Sequence, residues 1–108
     1  VQNKSGNFIK ADAASLQAAA SSAEWGSTKD FALMLTNAPG AQAYPIVATT
    51  FALVPKPPTS RTREVLDFFQ LSLETGGADA TALGYGPLPD ALVKQVKDYW
   101  AANLKPAS

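Results

Sequence analysis

The stretch Tyr44-Pro45-Ile46-Val47-Ala48-Thr49-Thr50-Phe51-Ala52-Leu53-Val54 decides how this sequence is read. It is crowded with β-branched and aromatic residues, the composition of a strand. Pro45 has no backbone N–H to give a ladder, so it belongs at the opening of such a strand. Pro55-Lys56-Pro57-Pro58 then stops it. The run exceeds the usual strand length of about 5–6 residues, enough to cross between sheets or lobes.

Working outward, Phe31-Ala32-Leu33-Met34-Leu35 is a short continuous apolar run and predicts a second, buried strand. Asn37-Ala38-Pro39-Gly40 is the turn between them. Asn3-Lys4-Ser5-Gly6-Asn7 predicts another turn, with Gly6 and Asn7 suited to positive φ, and Phe8-Ile9 a short strand after it. Asp12 caps an Ala-rich helix over 13–23 whose packing face is Leu16, Ala19, Ala20 and Ala23, and Trp25 anchors the turn that ends it. Downstream, Thr59 or Ser60 caps a helix over 62–75. Its Val65, Leu66, Phe68, Phe69, Leu71 and Leu73 form an apolar arc too wide for one neighbour to cover. Gly76-Gly77 is its expected stop. A helical turn over 79–83 ends at Gly84, and Pro89 opens a last helix with Leu92, Val93, Val96, Tyr99 and Trp100 at helical spacing, closed by Pro106. The expected fold class is α/β, with a few strands and three to four helices.

Composition removes whole classes of chemistry. The chain has 108 residues, 46% hydrophobic and 17% charged, so it reads as globular and not disordered. Nine basic and nine acidic residues cancel, and no basic stripe interleaved with aromatics points to nucleic acid. With no Cys there are no disulfides, thiol catalysis or cysteine-ligated zinc; with no His the usual general base and commonest metal ligand are missing. No enzyme and no cofactor are expected. No apolar run approaches the roughly 20 residues that span a bilayer, and Val1-Gln2-Asn3-Lys4 has none of the pattern of a secretory leader.

The polar residues that invite a functional role each have a simpler one. Arg63 with Asp67 and Lys94 with Asp98 stand four apart on helices and read as surface pairs. Arg61 and Arg63 sit at a solvated helix start. Thr36 and Asn37 fit a turn, Thr49 and Thr50 fit strand propensity, and Gly76-Gly77 is no phosphate-cradling loop.

The order of landmarks resembles the family of periplasmic phosphate-binding proteins of the PstS type. The likeness runs through Asn3-Lys4-Ser5-Gly6, Ser15-Leu16-Gln17-Ala18-Ala19-Ala20 closing at Trp25, Leu35-Thr36-Asn37, and Tyr44-Pro45-Ile46 through Thr49-Thr50-Phe51. It continues in Val65-Leu66-Asp67-Phe68-Phe69, Gly84-Tyr85, and Leu88-Pro89-Asp90 leading to Val93-Lys94-Gln95-Val96 and Trp100. Each piece is weak alone; the ordered set covers essentially the whole chain.

The resemblance implies the C-terminal part of a two-lobed type II periplasmic-binding-protein fold. Residues 1–43 would end one lobe, and residues 44–108 would supply the interlobe crossing and the C-terminal helices of the other. It implies an extracytoplasmic receptor that captures inorganic phosphate and hands it to the membrane permease of an ABC transporter. In that family backbone amides, hydroxyls, an Arg and a proton-accepting Asp hold the anion, and they lie in segments upstream of this one. Ser5 matches the family's Asn-x-x-Gly turn and takes no ligand role. No catalytic, ligand-binding or metal residue is therefore expected here, and the partners are the remainder of the receptor, phosphate and the permease. An autonomous α/β interaction module without ligand binding is the alternative from another class.

Overall fold

The computed structural model describes residues 1–104, so the stop expected at Pro106 lies outside the described residues. Helix α1 (Ala13–Ser22) begins as its sequence dictates. Asp12 is extended and its carboxylate accepts from Ser15 N at 2.9 Å, while Ser15 Oγ accepts in return from Asp12 N at 3.1 Å. Two otherwise unpaired donors of the first turn are thus satisfied reciprocally. Two 3₁₀ turns follow, Trp25–Ser27 and Lys29–Phe31, and then a long irregular stretch leads to α2 (Thr62–Thr75), α3 (Gly77–Ala82) and α4 (Asp90–Asn103).

The expected α/β character is not seen: among the described residues no strand ladder forms, and the lone bridge pairs Gln2 with Phe8. The physical reason lies in the backbone. A strand exists only beside a neighbour that takes its N–H and C=O groups. Among the described residues, no backbone hydrogen bond engages residues 46–55. The run over 31–35 departs earlier still, because Asp30 and Phe31 take left-handed backbone (φ 57° and 59°) and turn the chain where a strand was expected.

Two further signals act differently from expectation. Neither Thr59 nor Ser60 caps α2; instead Thr59 N donates to Thr62 Oγ1 at 2.7 Å. Gly76 is not a left-handed stop. Its φ is −81°, and a Cβ there would stand 2.6 Å from Ser72 O, so glycine is required by close approach where α2 turns into α3. Gly6 and Gly84 do take positive φ, and so does Asn37, while Asn7 does not.

The best-packed region lies around Trp25. With Ala20, Leu35 and Leu92 it forms a buried cluster, joined at its edge by Phe31, Val47, Leu88 and Val96. Trp25 Nε1 donates to Ala20 O at 2.8 Å, so the ring is both buried and satisfied. Beside it Ala19, Ala38 and Ala43 pack closely, with Val47 against them. Residues before and after Tyr44 share the larger cluster, since α4 returns to lay Leu92 against it.

Asn3 joins the N-terminal turn to this region. Buried, it donates through Nδ2 to Ala41 O at 2.8 Å and Ala43 O at 3.2 Å, and its Oδ1 accepts from Ser5 N and Asn7 N.

Beyond these clusters the molecule is open. Its extents are 51 × 30 × 18 Å and its radius of gyration is 15.2 Å, against about 13 Å for a compact chain of this length. Its accessible surface is 7444 Å², roughly 1,700 Å² above the ~5,700 Å² of a compact monomer of this mass. Phe51, Leu53, Val65, Phe68 and Leu71 contribute exposed apolar side chains to that surface.

Candidate functional site

The polar residues singled out from sequence are scattered. Ser5 Oγ donates to Pro39 O at 3.2 Å and secures a turn. Thr36 and Asn37 form the turn before Ala38, with Asn37 N donating to Pro45 O. Lys94 and Asp98 pair at 2.7 Å on the exposed face of α4, but Arg63 and Asp67 make no ion pair among the described residues. Arg61 and Arg63 are exposed. Arg63 does border a shallow depression of about 380 Å³ with Asp67, Gln70 and Lys97. Lys97 there is bound to Glu74 at 2.5 Å, and that hydrogen bond holds the Glu74 carboxyl below its ordinary pKa. With Asp67 beside them, these charges largely answer one another.

A larger cavity is of another kind. A groove of about 500 Å³ runs between residues 49–54 and the helices α2 and α4. Phe69 and Leu73 of α2, Val96 and Trp100 of α4, and Leu88 and Leu92 form its apolar wall. Six consecutive residues, Thr49 through Val54, line the opposite side. Thr49 Oγ1 is buried here without a hydrogen-bond partner among the described residues.

A polar group closes one end. The Tyr99 phenol donates to the Asp30 carboxylate, which holds the phenol above its ordinary pKa because the carboxylate favours its protonated form. Phe31 meets the Tyr99 ring edge-on at 5.4 Å, and Lys56 Nζ lies 5.8 Å from the ring centroid. Sequence reasoning missed this group. Tyr99 was legible as a packing residue of α4, but nothing in the sequence brings residues 30, 56 and 99 together.

Chemically, the groove is mostly apolar and aromatic, with Lys56, the Thr49 and Thr50 hydroxyls and the Tyr99–Asp30 pair as its polar groups.

Comparison with known proteins then fixes the family. The chain is 45% identical over 107 residues to the phosphate-binding protein PstS of Xylella fastidiosa (strain Temecula1), a match covering 97% of this chain and 29% of that protein. The chain belongs to the PstS family of phosphate-binding proteins. The PstS proteins of Pasteurella multocida (35% identical) and Haemophilus influenzae (37% identical) match over the same 97% of the chain, covering 31% and 32% of their own lengths. The chain thus spans under a third of these relatives and corresponds to a C-terminal portion of them. No family model matches. Membership implies the periplasmic-binding-protein fold for the whole, of which the described helices are a part. Among the described residues no helix is long and apolar enough to cross a membrane.

Proposed function

We propose that this chain is the C-terminal scaffold of an extracytoplasmic receptor that captures inorganic phosphate and delivers it to the membrane permease of an ABC transporter. The observation that carries this is the match over 97% of the chain to proteins each named as phosphate-binding. The role is binding and delivery, and not catalysis.

Within that receptor we assign these residues to framework and none to the grip on the anion. Holding phosphate in a cleft takes charged or N–H donors converging from two sides. The apolar lining of the main groove supports a framework role, because such surface rewards burial against protein. So does the roughly 1,700 Å² of surplus surface, about twice what one partner gives to an interface of standard size.

Residues 1–43 are proposed to finish one lobe and residues 44–108 to cross to the other, with α4 returning to pack on Trp25 at the junction. The test is calorimetry with phosphate on two samples: this chain alone, and this chain joined behind the upstream portion of the Xylella relative. Binding by the joined protein with none by the chain alone is the expected result. Tight binding by the chain alone would overturn the scaffold role.

A further inference from the structure

We infer that the Tyr99 side chain is a clasp across the junction of the two lobes, and that it raises the receptor's affinity for phosphate by holding that junction in its binding geometry. This rests on the reading of the chain as a portion of a PstS-type receptor whose lobes meet near Tyr44. In this role Tyr99 is a positioning residue and never meets the anion.

The clasp is built on one stripe of α4. Leu92, Val96, Tyr99 and Asn103 recur at helical spacing and share a face. The first half of the stripe is anchored, with Leu92 buried beside Trp25 and Val96 packed at the edge of that cluster. The second half grips two segments that stand on either side of the crossing. Before it, Asp30 accepts the hydrogen bond of the Tyr99 phenol, and Phe31 meets the ring edge-on at 5.4 Å. After it, Lys56 Nζ lies 5.8 Å from the ring centroid and donates to Asn103 Oδ1 at 3.5 Å. Asn103 Nδ2 in turn donates to Tyr99 O at 3.0 Å. One helix face thus holds the chain on both sides of residues 44–54.

The backbone before the crossing bears the mark of that hold. Asp30 and Phe31 are consecutive left-handed residues, and neither is glycine. Such a conformation is uncommon for a bulky residue and persists only where the surroundings impose it. Here the same phenol ring engages both side chains. Binding in a cleft between two lobes costs the freedom of one lobe relative to the other, and a junction fixed beforehand has less of that freedom to lose. A contact remote from the anion acts on its affinity by this route.

Two measurements test this. In the isolated chain, thermal unfolding should show Tyr99→Phe costing stability in the unaltered sequence and nothing further in an Asp30→Ala background. An equal cost in both backgrounds would overturn the pairing. The second uses calorimetry with inorganic phosphate on the chain joined behind the upstream portion of the Xylella relative. Tyr99→Phe should bind about three- to tenfold more weakly, the scale of one hydrogen bond to a charged group at a solvated site. Asp30→Asn keeps an acceptor oxygen and should retain most of the affinity, and Lys94→Ala, on the exposed face of the same helix, should leave it unchanged. A contact that only stabilises the fold would lower the melting temperature of the joined Tyr99→Phe variant and leave its Kd as it was. That result, or tighter binding, would overturn the inference while leaving the receptor function standing. Failure of the unaltered joined protein to bind phosphate would overturn the receptor function, and this inference with it.

Discussion

Replacing Asn3 with Asp should destabilise the packed part of this chain by about 3–5 kcal/mol. The substitution preserves size and the Oδ1 acceptor for Ser5 N and Asn7 N, but exchanges the Nδ2 donor for a carboxylate oxygen. That oxygen would face the carbonyls of Ala41 and Ala43, which now receive hydrogen bonds at 2.8 and 3.2 Å, with Gly40 O at a longer 3.4 Å. Two good hydrogen bonds are lost at about 1 kcal/mol each, and leaving a buried group unpaired adds roughly 1–3 kcal/mol. Asn3 is only 6% exposed, so water can relieve little of this. The assay is urea unfolding followed by Trp25 fluorescence in a Trp100→Phe background, leaving the buried indole as sole reporter. The cost should shrink in acid, where the new carboxyl gains a proton to donate. A cost below about 0.5 kcal/mol, the scatter of neutral surface changes, would refute the role given to Asn3 in holding residues 40–43.

Three other outcomes follow from the same structure. The Asp12 carboxyl lies below its ordinary value of 3.8, chiefly because it accepts from Ser15 N. Its stabilisation is therefore present above that value and lost as pH falls through the lower folded one; circular dichroism between pH 5 and pH 2 should show α1 weakening, with a shallower decline for Asp12→Asn. A Cβ on Gly86 would meet Leu16 Cβ at 2.9 Å, so Gly86→Ala should cost about 1–3 kcal/mol by thermal unfolding through overpacking of the loop on α1. Leu53 is 94% exposed, so Leu53→Asp should shift the stability of the isolated chain by less than about 0.5 kcal/mol. In the joined receptor the same change should lower the melting temperature, and an equal response in both settings would contradict burial of that side chain.

The helices were legible in the sequence and the strands were not, for one physical reason. A helix satisfies its backbone within itself, so local signals suffice: Asp12 with Ser15 fixes the start of α1, and the apolar spacing from Thr62 to Thr75 gives α2 its full span. A strand's partners are distant in sequence. Tyr44–Val54 carries strand composition, yet composition cannot supply the neighbour that makes a ladder. The wide apolar arc of α2 announced the same incompleteness, and the structure leaves Val65, Phe68 and Leu71 exposed on one side while Phe69 and Leu73 line the groove. The Asp30–Tyr99 hydrogen bond was beyond reach because it depends on two consecutive left-handed residues, Asp30 and Phe31, neither of which is the glycine that would flag such a turn.

The central claim is that this chain frames a phosphate site without gripping the anion. A crystal structure of the joined receptor with phosphate bound measures this directly, through the distance from each anion oxygen to the nearest protein donor. The account predicts that every donor within hydrogen-bonding reach comes from the upstream portion; an anion held by side chains or amides of residues 1–104 would contradict it.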